Sequence, residues 1–140
     1  MGTKIRPEVS AKNLYWISKH RYYELKHFCL QYPEWEKAYH SLDGYPKKSA
    51  AIIANRSGEH TTDPTAMYAE ARVYFQQRID MVDTAAKMAA GDYWVLLVTA
   101  VIHEISYEKM EAQNGWMPVS KDAWYAMYRK FFWLLDKARK

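Results

Sequence analysis

An all-α protein is what this sequence predicts, on three observations. Apolar residues recur at three- and four-residue spacing along most of the chain, the period of an amphipathic helix. Glycine is scarce, at 5 of 140 residues, and β-branched runs are too short to build a sheet. Start and stop signals bracket the periodic stretches: Ser18, Asp63, Asp92, Ser106 and Ser120 stand where N-caps belong, while Gly44, Gly91 and Asn114-Gly115 stand at the ends.

The elements follow in order. Ser18 caps a first helix, with Ile17 just outside it as a hydrophobic staple, and Tyr22, Leu25, Phe28, Cys29 and Tyr32 fall on one face. Pro33 interrupts the run but suits the first turn of a second, short helix over 34–42, which carries Trp35, Tyr39 and Leu42 and closes at Asp43-Gly44. Residues 43–62 read as a loop, with one turn of helix at Ala50–Ala54. Asp63-Pro64 then starts a long helix ending at Gly91, whose apolar stripe is Met67, Ala71, Tyr74, Phe75, Ile79, Val82, Ala85 and Met88. Asp92 caps the next, with Trp94, Leu97, Val98 and Val101 buried. Ser106 caps a short helix over 107–113, Trp116-Met117-Pro118-Val119 makes a turn, and Ser120 caps the terminal helix.

The expectation is therefore a single helical domain over 1–140, of five or six helices. Residues 18–91 supply the N-terminal helices and the long connecting one, and 92–140 a helix-turn-helix region. In such a region the second helix of the pair enters the major groove. Tyr107 and Met110 should face inward from the short helix while Val119 seals the turn. Trp124, Met127, Phe131, Leu134 and Leu135 should hold the last helix against Trp94, Leu97 and Val101. Lys121, Asp122, Tyr125 and Arg129 are then presented at its exposed start, residue types that meet phosphates and base edges. Ser120 and the backbone N–H groups beside it make an anion-friendly helix start, and Lys130 and Lys137 can hold the DNA backbone. For Lys137, Arg139 and Lys140 the competing reading is a solvated helix end, favoured by the macrodipole.

Composition narrows the classes without choosing among them. With 49% apolar and 16% aromatic residues the chain is no disordered tail. A net charge of +4 permits nucleic acid without requiring it. Cys29 is the only cysteine, which excludes a disulfide framework and a cysteine-rich metal cage and suits a reducing compartment. The stretch MGTKIRPEVSAKN lacks the apolar core of a signal peptide, and no uninterrupted apolar run reaches the length of a membrane span. A soluble, cytoplasmic protein that does not engage membranes is expected.

Catalysis and metal binding find no support in motifs. His20, His27 and Cys29 do not share a helical face as three ligands would, and His103-Glu104 lacks the second histidine of a zincin helix. Glu24, Glu34 and Glu36 have no sequence sign of the cleft that acid–base chemistry needs. No glycine-rich phosphate loop or nucleophile motif is present. A protein that is not an enzyme, with no cofactor and no metal, is expected.

The stretch ISYEKMEAQNG-WMPVSKDAWYAMYRKFFWLLDK resembles the C-terminal half of small late-transcription activators of the RinA/ArpU type, encoded by phages and prophages of low-GC Gram-positive bacteria. That half is similar to the promoter-binding region 4 of sigma factors. Ile105-Ser106-Tyr107-Glu108 and Val119-Ser120-Lys121 match its short-helix, turn and recognition-helix pattern. YWISKHRYYELKHFCLQYPEW and DPTAMYAEARVYFQQRIDMVDTAA also look like those phage proteins. The chain departs from the pattern in the inserted Trp116-Met117-Pro118, and in Ala123 and Ala126, where sigma factors often carry base-reading side chains. The resemblance implies a DNA-binding transcription regulator acting on double-stranded DNA with host RNA polymerase, the first three helices making polymerase or self-association contacts in a possible homo-oligomer. Two other readings stay open. One is a DNA-recognition protein like a small terminase subunit. The other is a non-DNA-binding phage protein that inhibits a host system through its aromatic surface (Tyr15, Trp16, Tyr22, Tyr23, Tyr32, Trp35, Tyr39).

Overall fold

The computed structural model describes residues 14–42 and 64–139. The elements are α1 (Lys19–Leu30), α2 (Tyr32–Leu42), α3 (Pro64–Ala90), a 3₁₀ turn at Gly91–Tyr93, α4 (Trp94–Ile102), α5 (Tyr107–Asn114) and α6 (Lys121–Ala138). Among the described residues there is no strand, so the fold is all-helical as the periodicity indicates. The loop read over 43–62, its helical turn at Ala50–Ala54 and the Asp63 cap lie outside the described residues. The chain divides into two compact units, one of Met1–Gln31 with Met81–Lys140, the other of Tyr32–Asp80.

The first unit packs α1 against α4 and α6. Leu25, Phe28 and Cys29 of α1, Val82, Ala85 and Ala86 of α3, Leu97 and Val101 of α4, and Trp124, Phe131, Phe132 and Leu135 of α6 are all buried. Phe132 meets Tyr22 at 5.0 Å, Phe131 at 5.0 Å and Tyr128 at 5.1 Å between ring centroids, the edge-on and tilted geometries that ring quadrupoles favour. Burial, with Tyr22 beside it, pushes the Tyr128 phenol well above its ordinary pKa. Burial likewise drives up the Cys29 thiol, leaving it a small apolar filler rather than a nucleophile.

The helix ends of this unit are closed by specific contacts. The Ser18 hydroxyl accepts from Arg21 N at 3.3 Å, and Ile17 beside it is buried, as a capped and stapled start requires. Arg21 reaches the far end of α6: its Nε donates to Asp136 Oδ1 at 2.6 Å, and Nη2 donates to the Arg139 carbonyl. The bond to the Asp136 carboxylate raises the guanidinium pKa, while the Nη2 bond ties α1 to a carbonyl left open at the end of α6. The Arg139 guanidinium in turn lies 3.9 Å from the centroid of Phe28. At the end of α4, Ile105 N donates to Ala100 O at 2.8 Å and Glu104 N to Val101 O at 3.4 Å, the paired bonds of a Schellman motif. The left-handed residue there is Glu104, at φ 52°, rather than a glycine, and its carboxylate pairs with Lys26 at 3.0 Å.

In the second unit, Tyr32 and Trp35 of α2 are buried with ring centroids 6.3 Å apart, and Ile79 of α3 is buried. The Arg72 guanidinium lies 5.3 Å from the Tyr39 ring centroid. Helix α2 begins at Tyr32, two residues earlier than the spacing predicts, with Pro33 in its first turn where no intrahelical donor is needed.

Helix α3 runs unbroken for 27 residues from Pro64, as its flanking signals imply, but its stripe needs correction. Met67, Tyr74 and Met88 are exposed. Apolar residues at 67, 68, 71, 74 and 75 share one side of the first half of the helix, with Met67 and Tyr74 at its edge, while Ala66, Ala69 and Val73 lie opposite, so spacing alone does not mark how far the covered side extends. Tyr74 instead carries the Arg78 guanidinium 3.4 Å from its ring centroid. Asp92 does not cap α4 either. It sits inside the 3₁₀ turn opened by Gly91 at φ 56°, and α4 starts after Tyr93 without a side-chain cap. Trp94 is half-buried, with Lys87 Nζ 4.6 Å from its ring centroid.

The helical stretch Pro64–Ile102 is long and apolar enough, by length and composition, to pass as a membrane span. Counting uninterrupted apolar runs misses it. Leu97, Val98, Ala100 and Val101 at its end are buried in the first unit, and core helices of this kind pass the same test.

Candidate nucleic-acid interface

Helix α5, the turn over 115–120 and α6 form the candidate site. Both helices begin on a serine: Ser106 Oγ accepts from Lys109 N, and Ser120 Oγ from Ala123 N, each at 3.2 Å. Gly115 ends α5 in the left-handed region at φ 82°, a conformation that costs a residue with a Cβ. The buried Tyr107 donates its hydroxyl to Val119 O at 2.7 Å, and its ring lies 6.4 Å from that of the fully buried Trp124. The turn is thus held at both ends and from beneath.

The sequence-derived residues fall into four sets. Lys121 and Tyr125 come together with Glu108, a residue that sequence spacing does not single out. Lys121 Nζ makes an ion pair with Glu108 Oε1 and lies 5.6 Å from the Tyr125 ring centroid. That hydrogen bond raises the lysine pKa and lowers the glutamate's, while burial, with the Glu108 charge nearby, raises the Tyr125 phenol. Arg129 follows Tyr125 by one turn and is half-buried, its Nε shielded from solvent without a hydrogen-bond partner among the described residues. Lys130 (half-buried) and Lys137 (exposed) share an outward strip with the exposed Ala123 and Ala126, by their three- and four-residue spacing. Lys137 Nζ rests 4.2 Å from the Trp133 ring centroid. Ser120 and Asp122 are exposed, the serine oxygen already engaged by its own helix.

Glu108 stands thirteen residues before Lys121, so no helical spacing rule couples them. The usable signal is that each opens a helix on either side of one tight turn. Around this site Trp116 projects from the turn at 67% exposure. Among the described residues no cluster of histidine, cysteine or carboxylates could hold a metal ion.

No protein-family model matches the chain, and neither does any curated protein or solved structure.

Proposed function

We propose that this chain is a duplex-DNA-binding regulator of the phage late-transcription type, engaging DNA through α6 as the second helix of a sigma-region-4-like helix-turn-helix. The observation that carries the reading is the α5–turn–α6 unit. Its two serine caps and its Tyr107–Val119 bond hold a short helix and a longer one around a glycine turn. The sequence resemblance over Ile105–Glu108 and Val119–Lys121 falls on the same elements.

The outward strip of α6 refines the mode of contact. Ala123 and Ala126 allow close approach to a groove but offer no hydrogen bonds to bases, whereas Lys130 and Lys137 are suited to phosphates. Affinity would then come chiefly from the DNA backbone, with Arg129 the main candidate for base readout. Promoter choice would be shared with host RNA polymerase.

The test is a salt-titrated binding measurement on specific and random duplexes. Lys130→Ala should weaken both alike and reduce the salt slope by about 0.9. Arg129→Ala should cost about 1–3 kcal/mol, mainly on the specific site. Equal losses on both duplexes for both variants would leave a basic surface without a reading helix. Wild-type protein that fails to bind any duplex at low salt would remove the proposal. The exposed Trp116 then favours the second reading, a phage protein that binds a host protein, since tryptophan is a frequent interface anchor.

A further inference from the structure

The lysine at the start of α6 already holds an anion. Lys121 Nζ is bonded to Glu108 Oε1, and both side chains are 43% exposed. The pair is thus at the surface, where a ligand can reach it. Glu108 is also firmly placed. Its second oxygen, Oε2, is shielded from solvent without a hydrogen-bond partner among the described residues, and the residue sits in the first turn of α5, next to Tyr107, which follows the Ser106 cap. The turn bolted by Tyr107 and Val119 keeps the starts of the two helices together. Position and charge make the carboxylate an occupant of the place where Lys121 would otherwise take a phosphate oxygen.

We propose that Glu108 is a built-in competitor for DNA phosphate at Lys121, so that seating the start of α6 exchanges a carboxylate for a phosphate. The proposal rests on the DNA reading above and adds a residue that moderates it. An exchange of one anion for another releases little net counterion, so Lys121 adds little to the salt slope while Glu108 is present. Removing the carboxylate converts Lys121 into an ordinary phosphate contact.

Glu108→Gln keeps the size and some hydrogen-bonding capacity but drops the charge. Binding of the full chain to a random-sequence duplex, by fluorescence anisotropy across a salt series, should tighten about two- to fivefold at low salt, the range expected for releasing one exposed ion pair. The salt slope should steepen by about 0.9. Glu111→Gln removes the same charge from an exposed position on the same helix and should do neither. In a Lys121→Ala background Glu108→Gln should give no gain. Thermal melts of each variant establish that the fraction folded is unchanged at the assay temperature.

Equal gains from Glu108→Gln and Glu111→Gln would assign the effect to bulk charge and overturn the proposal. Weaker binding by Glu108→Gln would also overturn it, making the pair an aid to Lys121 instead. DNA binding that is identical in wild type and Glu108→Gln sinks this inference and leaves the DNA reading standing. No binding by the wild type or any variant sinks both.

Discussion

Helix α6 and the first half of α3 are both rich in apolar and aromatic residues, yet only one has a sharply defined buried side. In α6, Trp124, Phe131, Phe132 and Leu135 are buried, while Asp122, Ala123, Ala126 and Lys137 are exposed. In residues 64–80 of α3, Ile79 is buried while Met67, Val73 and Tyr74 are exposed. Amount of hydrophobicity does not separate the two segments; its angular distribution does. Charged residues in α6 interrupt the aromatics at the spacing that leaves one apolar stripe, so its rotation about its axis is determined. In the first half of α3, Ala66, Ala69 and Val73 lie opposite Met67, Tyr68, Ala71, Tyr74 and Phe75, so no single narrow stripe is set apart.

The largest expected effect tests the determined side. Trp124→Ala should destabilise the protein by about 3–5 kcal/mol, because the indole is fully buried beside Tyr107 and its loss leaves a cavity under the turn. Chemical denaturation followed by circular dichroism measures it. A loss below about 1 kcal/mol would mean that α6 is rotated relative to the described packing, and the contrast with α3 would disappear.

A smaller effect separates packing from local capping at the same helix. Ser120→Ala removes the acceptor for Ala123 N and should cost about 1 kcal/mol. The substitution leaves the aromatic stripe untouched, so it asks how much of the definition of α6 is local. A cost near that of Trp124→Ala would show the turn collapsing once the cap is lost. No cost would show that α6 is held by its stripe alone.

The same contrast separates the features legible in the sequence from those that were not. The unbroken α3, the caps at Ser18, Ser106 and Ser120, and the stop at Gly115 are consequences of local backbone chemistry, and residues a few positions apart encode them. The α1 face of Tyr22, Leu25, Phe28 and Cys29 was legible because polar residues flank it on the helix surface. The exposure of Met67, Tyr74 and Met88 was not, since it depends on which neighbours cover α3. Asp92 has the residue type of a cap, but Gly91 diverts the backbone into a 3₁₀ turn first. At the candidate site, Ser120, Lys121 and Tyr125 could be placed from spacing. The Glu108 partner of Lys121 required the turn geometry that brings two helix starts together. The Arg21 clamp on Asp136 spans even more of the chain, and no local pattern announces it.

The smallest expected effect probes the undetermined side. Val73 lies in the first half of α3 and is 54% exposed. Its substitution by alanine removes two methyl groups that are already largely in contact with water, so little burial is lost. Against that loss stands helix propensity: a β-branched residue gives up side-chain freedom in a helix, and alanine is favoured over valine by up to roughly 0.7 kcal/mol. The two terms oppose each other and are of similar size, so Val73→Ala should change stability by less than about 0.5 kcal/mol in either direction. The same denaturation experiment used for Trp124→Ala reads it, and the two variants together measure the contrast between the helices directly. A destabilisation above about 1.5 kcal/mol is too large for an exposed valine. That outcome would place a packed partner over the Val73 side of α3, and the face would then be as determined as that of α6.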